Sequence, residues 1–370
     1  MATLADKWKL ARGLLGSGRA WNGPFYVSID ATQRCNLNCV GCRFHSPFTR
    51  RPSAGDPEIL DVPVEIVERF CGELKLMGTE TLIFSGAGEP MLHDRILDLI
   101  GVAKAAGLKV NLLTNGTLLD RSRIEGLIDS RLDVLKVSLW GASPESAALN
   151  NPGKSLIFEK VVEGLRLLSR LKKERNKRNP QVALHQPINR NNFRQVEELA
   201  LLAQGTGCDG FTFAPFYTYG PGQSALSLSK EEELQTRDLL AGLKRRLRDG
   251  SLSHNIDELL CRYETGPEVW DRVPCYIGWI SCRMKPDGSI LPCAPCNLVL
   301  GSLQETTFRE IWNNPAYRNF RRKAMTRAGL MSMSAACDCS YCCNLVNNLK
   351  VGKYLRFLAP LIRAGQSRGG

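Results

Sequence analysis

The stretch that decides the fold is Cys35-Asn-Leu-Asn-Cys39-Val-Gly-Cys42, in which three cysteines are separated by three and then two residues. It comes soon after Phe25-Tyr26-Val27-Ser28-Ile29, an apolar run of the kind that forms a buried strand. Three thiolates on one short loop can bind three corners of an iron–sulfur cube, which leaves the fourth iron without a protein ligand. The same residues also allow a zinc loop that a distant ligand completes.

The chain up to about residue 225 alternates short β-branched runs with helical patterns, which is typical of βα units around a parallel sheet. The predicted strands are Tyr26–Ile29, Thr81–Phe84, Lys109–Leu113, Val134–Leu139, Gln181–Leu184 and Gly210–Phe213. Apolar residues at a spacing of three and four predict helices between them, at about 64–77, 95–106, 121–128, 156–174 and 193–202. Six such units form a partial barrel, whose reactive loops gather at the carboxyl ends of the strands.

Composition limits the class of protein. The chain has 370 residues, of which 43% are hydrophobic and 23% charged, as in a soluble globular protein of about two domains. No apolar run reaches about 18 residues and no secretory signal is recognisable, so we expect a cytoplasmic protein. The net charge of +12 is concentrated in runs such as Arg170–Arg178 and Arg318–Lys323. These runs lack interleaved aromatic residues, so we expect solvated helix faces, or attraction of an anionic partner, and no nucleic-acid site.

A second group of cysteines occupies Cys275–Cys296 and Cys337–Cys343. The chain has 14 cysteines and no export signal, so cysteines clustered at short spacings indicate metal ligands and not disulfides. Pro286-Asp287-Gly288 between two apolar runs predicts a β-hairpin, with Cys275 and Cys293 on either side of it. Three other cysteines stand alone and are expected to be small buried hydrophobic residues: Cys71, Cys208 and Cys261.

The first cysteine loop resembles that of the radical S-adenosylmethionine (radical SAM) superfamily. In that family SAM chelates the open iron of a 4Fe–4S cluster and is cleaved reductively to a 5′-deoxyadenosyl radical. Gly86-Ala87-Gly88-Glu89-Pro90, after the second predicted strand, resembles the family's loop that meets the amino group of SAM. Glycines at such a place let the backbone approach a ligand closely, although a tight strand-to-helix turn is the other interpretation.

The resemblance implies further contacts with SAM. Besides Gly86, Gly88, Glu89 and Pro90, the residues expected to contact SAM are Phe44, Asn115 and Ser138. Trp140 is expected either to lie over the adenine or substrate or to pack at the mouth of the barrel.

Other polar residues near these loops are given weaker roles. His185, Gln186 and Asn189 follow the fifth strand and are expected to face the mouth of the barrel. His45 and His93 are expected to be ordinary polar surface residues.

The second cysteine group resembles the SPASM and twitch auxiliary-cluster domains of radical SAM enzymes, on the strength of Gly288, Cys293 and Glu310-Ile311-Trp312. This resemblance implies at least one auxiliary 4Fe–4S cluster, with the ligands Cys275, Cys293, Cys339 and Cys342. A second cluster would use Cys282, Cys296, Cys337 and Cys343, whose compressed spacing departs from the full SPASM pattern. A zinc ribbon made by the same cysteines is the alternative.

The predicted fold class is therefore α/β, a partial (β/α)6 TIM-like barrel with a C-terminal cysteine-rich SPASM/twitch domain. The predicted segments are a lead-in at 1–24, the barrel at 25–225, a helix and connector at 226–273, the SPASM/twitch domain at 274–345 and a basic tail at 346–370. Pro360 is expected to interrupt any helix in the tail. The two terminal segments are the candidates for contact with a membrane.

By the same resemblance, the chain is expected to be an oxidoreductase-like radical SAM enzyme that removes a hydrogen atom from an unactivated C–H bond. A low-potential electron donor such as flavodoxin or ferredoxin is implied. About 24 residues precede the first strand, too few for a leader-binding domain, so we expect a small sugar or aminocyclitol that is oxidised or epimerised.

Two alternatives stay open. One is a peptide or protein maturase that uses a separate leader-binding partner, and the other is a non-catalytic iron–sulfur or zinc-binding module. Some family members carry an acidic base directly after the hairpin cysteine, but Ala294 occupies that position and no catalytic base is named.

Overall fold

Strands and helices alternate along the first two thirds of the chain, as the sequence predicts. The computed structural model describes residues 4–14, 18–49, 60–247, 250, 252–264, 273–337, 342 and 344–366. The strands are β1 Tyr26–Asp30, β2 Thr81–Ser85, β3 Lys109–Thr114, β4 Val134–Ser138, β5 Gln181–Ile188 and β6 Gly210–Pro215. They lie side by side in chain order, and β3 to β6 pair in parallel.

The helices of this part of the chain are α1 Leu4–Leu14, α2 Val64–Leu76, α3 Ile96–Ala105, α4 Arg121–Asp129, α5 Pro144–Asn150, α6 Ile157–Glu174, α7 Val196–Gly205, α8 Lys230–Arg246 and α9 Ile256–Glu264. Sequence signals explain several of their ends. Gly78 has a φ of +87° just beyond α2, a conformation that glycine adopts without strain. A capping box begins α8, because the side chain of Ser229 accepts from the Glu232 backbone N–H and the side chain of Glu232 accepts from that of Ser229.

The chain forms two compact units. One consists of the described residues of Ile29–Glu68 and Leu82–Glu264 and holds most of the parallel sheet. The other consists of the described residues of Met1–Ser28, Arg69–Thr81 and Thr265–Gly370 and holds the second cysteine group.

The parallel sheet has a fully buried face and a partly exposed face. On β4, Val137 is completely buried, whereas Lys136 and Ser138 are partly exposed. A methyl group added at Gly116 would touch both Val137 and Val161 of α6, so the buried face is the one that packs on the helices. Lys136 and Ser138 therefore point to the opposite, inner face, because successive side chains of a strand alternate.

The second unit is built around a small antiparallel sheet. Its strands are β7 Ser281–Met284, β8 Ser289–Leu291 and β9 Gly301–Ser302. Gly288 has a φ of +79° in the turn between β7 and β8, which confirms the predicted hairpin. Its remaining helices are α10 Ile277–Ile280, α11 Phe308–Ile311, α12 Pro315–Ala324, α13 Arg327–Met331 and α14 Leu345–Gln366.

Three predictions of secondary structure are incomplete or wrong. Helix α5 is not predicted, because it is short and its capping partner for Ser143 is Ser146 and not an acid. Helix α9 lies inside the expected connector, where the Asn255 side chain fixes its start by two 2.8 Å hydrogen bonds to the backbone of Phe213. Helix α14 continues through Pro360. Proline inside a helix removes one hydrogen bond at a cost of about 3 kcal/mol, which bends a helix without necessarily ending it.

Two further expectations concern burial and membranes. Cys71 and Cys208 are buried, as predicted, whereas Cys261 is partly exposed. Within the described ranges, no helix is both long enough and apolar enough to cross a bilayer.

Candidate functional site

The three cysteines after β1 share one electrostatic environment. Burial raises the pKa of Cys35 to about 11 and also raises the pKa of Cys39, and the neighbouring thiols add to both shifts. The sulfur of Cys42 accepts backbone N–H bonds from Phe44 at 3.4 Å and His45 at 3.3 Å. Buried thiols with raised pKa values ionise readily only when a positive charge lies beside them. The loop therefore offers three thiols whose thiolate form a metal centre would stabilise.

A buried glutamine holds the backbone of this loop. Gln223 is fully buried, and its Nε2 donates to the carbonyl oxygens of Val40 at 3.1 Å and Cys42 at 3.0 Å. From the other side, the Val40 N–H donates to the carbonyl oxygen of Asn150 on α5 at 3.0 Å. No local sequence signal marks Gln223 or Asn150, because each contacts the loop across a long separation in the chain.

Gly41 leaves room for two aromatic rings behind the loop. A methyl group added at Gly41 would lie 2.4 Å from Phe216 and 2.4 Å from Trp140. The two rings meet edge to face with centroids 6.4 Å apart, and Trp140 Nε1 donates to Ser138 Oγ at 3.2 Å. Trp140 thus packs against the cysteine loop.

The glycine turn after β2 contacts the cysteine loop directly. The Glu89 N–H donates to the carbonyl oxygen of Arg34 at 2.7 Å. A methyl group at Gly88 would lie 2.2 Å from that same oxygen, and Gly86 has a φ of +116°. His45 joins the loop to the turn through its Nε2, 2.7 Å from the Ala87 carbonyl oxygen, so His45 is not an ordinary surface residue.

The Glu89 side chain is held by hydrogen bonds from other residues of this chain. It is 2% exposed, and its carboxylate accepts from Thr114 Oγ1 at 2.6 Å, Asn115 N–H at 2.6 Å and Met91 N–H at 3.0 Å. Burial raises the pKa of Glu89, and these hydrogen bonds offset part of that shift. Asn115 in turn donates to Asn36 Oδ1 in the cysteine loop at 2.8 Å. The carboxylate therefore positions three loops, while Pro90 begins a short 3₁₀ turn.

Polar side chains line the inner face of β4 to β6. His185 on β5 lies beside Ser138 in the sheet, and its Nδ1 is 2.9 Å from Thr212 Oγ1 on β6. Lys136 shares this face. Burial lowers its pKa, although the nearby charge of Glu258 favours its charged form. Burial and Lys136 together lower the pKa of His185 to about 4, so its ring is neutral at pH 7.

The expectation that His185, Gln186 and Asn189 face one opening is wrong. Gln186 follows His185 along the strand, so its side chain points to the opposite, buried face, where its amide has no hydrogen-bond partner among the described residues. Asn189 is also buried and donates to Asn150 Oδ1 at 2.9 Å. His93 is buried too, with Nε2 2.9 Å from the Val62 carbonyl oxygen, and is not a surface residue.

In the second unit, a buried asparagine brings together two of the predicted cluster ligands. Asn348 on α14 accepts from the Tyr276 N–H at 2.8 Å, next to Cys275. Its Nδ2 lies 3.8 Å from the sulfur of Cys342. Sequence reasoning missed Asn348, because the helix that carries it lies outside the predicted cysteine-rich domain.

The other cysteines of this unit are arranged unequally. Cys282 is fully buried on β7, and Cys293 follows β8 with partial exposure. Cys296 and Cys337 are joined in a disulfide across an antiparallel bridge, with Cα atoms 4.1 Å apart. In that state neither sulfur can ligate a cluster, contrary to the less favoured expectation for these two residues. Two further predicted ligands lie outside the described residues: Cys339 and Cys343.

Two family models match the chain. The radical SAM superfamily model matches residues 29–179, which include the cysteine loop and the glycine turn. The SPASM model, an iron–sulfur cluster-binding domain, matches residues 275–344, which include the hairpin and the second cysteine group. Residues 29–179 of the chain are therefore a radical SAM domain. The chain also carries a SPASM domain, and the two domains together imply 4Fe–4S clusters and SAM.

Curated relatives and solved structures agree with this assignment. The chain is 26% identical over 308 residues to the AdoMet-dependent heme synthase of Methanosarcina barkeri, covering 79% of the chain and 83% of the relative. It is 27% identical over 310 residues to the PqqA peptide cyclase of Gluconobacter oxydans, covering 80% and 79%. The Streptococcus suis SuiB structure shares the fold with a TM-score of 0.65 and 16% identity, covering 85% of this chain and 71% of SuiB. The anSMEcpe structure with bound AdoMet gives 0.62 and 18%, covering 92% and 100%.

The donor set after β1 fits the cluster of a radical SAM domain. The loop supplies three thiols, and Cys42 has two N–H groups directed at its sulfur. Across residues 4–366 with the stated gaps, no three His, Cys, Asp or Glu side chains enclose a point where a single metal ion would sit. Cluster ligands stand farther apart than the ligands of one ion, because each binds a different corner of the cube.

We predict that Gly41→Ala disrupts this loop. The added methyl group meets two aromatic rings that cannot bend aside, so the loop must move and SAM cleavage by the reconstituted protein should fall about 100-fold. The rate of SAM cleavage is measured as the 5′-deoxyadenosine formed in the presence of dithionite. The matched control is Gly72→Ala on the exposed side of α2, where a methyl group meets nothing within 4 Å. Equal activity in both variants would show that the rings yield.

Replacing Gln223 with leucine should loosen the cluster without unfolding the sheet. The change leaves two buried carbonyl oxygens without their donor, at a cost of about 1–3 kcal/mol each. We expect iron to be released to a chelator about tenfold faster than from the parent protein. Gln204→Leu, on an exposed turn of α7, is the control. Equal release rates for the two variants would remove Gln223 from the loop's support.

The neutral state of His185 predicts a pH dependence. Its folded pKa of about 4 lies below the unfolded value of about 6.5, so the unfolded chain binds the extra proton in between. Stability is therefore complete above about pH 6.5 and falls as the pH drops towards 4. His185→Asn should reduce the loss between pH 7 and pH 5 by about 2 kcal/mol in urea unfolding of the metal-free protein. Parallel curves for parent and variant would contradict the assignment.

Proposed function

We propose that this chain is a radical SAM enzyme that modifies a peptide or protein substrate. The observation that carries the proposal is its similarity to PqqA peptide cyclase over 80% of the chain, at 27% identity. Solved structures of the same fold include SuiB bound to its precursor peptide and anSMEcpe bound to a peptide. These relatives favour the peptide alternative over the expected sugar or aminocyclitol substrate.

The heme synthase relative limits what is proposed about the reaction. It matches the chain about as well as the peptide cyclase does, at 26% identity over 79% of the chain. The two relatives have almost the same sequence identity to this chain but different substrates. They support hydrogen abstraction as the chemistry, and the bond that is formed or broken is left outside the proposal. We accordingly propose the substrate class and no specific product.

The first unit supplies the radical-generating site of this proposal. Cys35, Cys39 and Cys42 would hold the cluster, which, after taking one electron from a low-potential donor, would supply the reductive cleavage of SAM to methionine and a 5′-deoxyadenosyl radical. The turn at 86–90 approaches the cysteine loop closely because glycines at two positions leave out side chains. Asn115 and Ser138, at the ends of β3 and β4, face the same loops and are proposed to orient SAM.

The inner face of β4 to β6 is the proposed place for the substrate. Lys136 brings a cation whose charge Glu258 partly offsets, and His185 brings a neutral ring that bonds to Thr212. A peptide offers carbonyl and carboxylate oxygens that match such groups. These residues bind and orient substrate in the proposal, and none of them is assigned as the base.

The second unit is proposed to bind the auxiliary cluster through Cys275, Cys293, Cys339 and Cys342. Asn348 holds the chain beside the first and last of these. Cys282 is an additional candidate ligand because it is buried on the same hairpin.

The test is anaerobic reconstitution followed by incubation with SAM and dithionite. We expect 5′-deoxyadenosine from the parent and none from the variant Cys35→Ala/Cys39→Ala/Cys42→Ala. A peptide encoded beside the gene for this chain should increase the yield and change in mass, whereas small polyols should not. The mass change is read by mass spectrometry of the recovered peptide.

Two results would contradict parts of the proposal separately. If the parent forms no 5′-deoxyadenosine although it contains iron, the chain is not a SAM-cleaving enzyme. If a polyol stimulates cleavage and the peptide does not, the radical chemistry stands and the proposed substrate class is wrong.

A further inference from the structure

Arg321 is a buried cation without an acidic partner in the described part of the second unit. It lies on α12 and is 0% exposed. Its Nε donates to the Gly278 carbonyl oxygen at 2.7 Å, and its Nη1 donates to the Gly18 carbonyl oxygen and Asn313 Oδ1, each at 3.2 Å. All three acceptors are neutral, and Nη2 has no hydrogen-bond partner among the residues described. Burial lowers the pKa of Arg321 to about 10, so the side chain is still charged at pH 7.

Tyr317, one helical turn earlier on α12, also has a buried polar group without a hydrogen-bond partner. It is 0% exposed, and its hydroxyl has no hydrogen-bond partner within the described ranges. The Arg321 guanidinium lies 4.5 Å from the centre of the Tyr317 ring and 4.5 Å from that of Trp312. The faces of aromatic rings attract a cation, but they do not replace a hydrogen-bond acceptor for Nη2. They also provide no acceptor for the proton of the Tyr317 hydroxyl, which lies in the plane of its ring.

Two thiols lie within electrostatic range of these groups. Cys282 and Cys293 both raise the pKa of Tyr317, after burial, which is the largest cause. Arg321 opposes the effect of burial on the Cys282 thiol. Helix α12 also joins the cysteine segment through its backbone, because the Cys275 N–H donates to the Ala324 carbonyl oxygen at 2.9 Å.

Such an arrangement needs an anion that accepts hydrogen bonds. Buried charges in proteins are normally paired, and buried donors normally find an acceptor. A cluster bound by thiolates is an anion, and its sulfurs accept hydrogen bonds that tune its reduction potential. The SPASM domain binds such a cluster, and α12 contacts the chain at the predicted ligand Cys275 and at Gly278, three residues farther on.

We propose that Arg321 and Tyr317 bind the auxiliary cluster from its buried side, offsetting the charge of its thiolates and raising its reduction potential. The inference rests on the auxiliary cluster of the proposed function and on no property of the substrate. Reduction adds negative charge, so a buried cation beside the cluster stabilises the reduced form. Arg321 and Tyr317 are thus positioning residues that act on the cluster and not on the substrate.

The experiment uses the full chain with Cys35→Ala, Cys39→Ala and Cys42→Ala, so that only auxiliary iron is bound. Arg321→Met, Arg321→Lys and Tyr317→Phe are compared in this background by potentiometric titration followed by electron paramagnetic resonance. We expect a more negative midpoint potential for Arg321→Met and Tyr317→Phe, with Arg321→Lys closer to the parent. Iron release to a chelator should be about tenfold faster or more in Arg321→Met.

The matched control is Arg322→Met, which removes the same charge from the exposed neighbouring position on α12. It should leave the potential and the rate of iron release at the values of the parent. If Arg321→Met shifts the potential no more than Arg322→Met does, the proposal is overturned. Zinc in place of iron in the parent background would also overturn it, whatever substrate the enzyme accepts.

Tyr317→Phe separates binding of the cluster from ordinary packing, and it decides the case if Arg321→Met does not fold. In the metal-free protein, removing a buried hydroxyl that has no partner should leave the melting temperature unchanged or raise it. In the loaded protein the same change should lower the potential and speed the release of iron. A variant that melts earlier without metal and keeps the potential of the parent would assign Tyr317 to packing alone.

Discussion

The buried residue Glu89 joins loops that follow three different strands. Its backbone N–H bonds to Arg34 ahead of the first cysteine, and its side chain accepts from Thr114 and Asn115 at the end of β3. Since Asn115 also bonds to Asn36, the cysteine loop is held from the ends of both β2 and β3. A carboxylate desolvated to this extent is stable only while all its donors are in place, so the three loops keep one arrangement.

The parts of this site that sequence reasoning finds are the contiguous ones. Cys35–Cys42 and the turn at 86–90 carry their chemistry within a few residues, and strand order then puts the two loops side by side. Gln223 has no such signal, because it bonds to Cys42 from a 3₁₀ turn beyond the last strand of the sheet. Side chains alternate between the two faces of β5, so the period of two itself separates His185 from Gln186 and contradicts the prediction for Gln186.

The two cysteine regions differ in how predictable they are. In the first unit one loop carries all three thiols, so their spacing alone specifies the donor set. In the second unit the proposed donors come from either side of the hairpin and from the segment before α14, and Asn348 on that helix contacts both the Tyr276 backbone and the Cys342 sulfur. Spacing along the chain cannot specify such a set, and it also failed to predict that Cys296 would pair with Cys337.

Both units contain buried groups whose charge state requires a partner of opposite sign. The thiols of Cys35 and Cys39 have raised pKa values and need a cation before they ionise. Arg321 is already a cation and needs an anion. An iron–sulfur core bound by thiolates satisfies both requirements, because its irons are positive towards the sulfurs and the whole assembly is negative towards its surroundings. Binding of the proposed clusters would therefore contribute to the stability of each unit as well as to its chemistry.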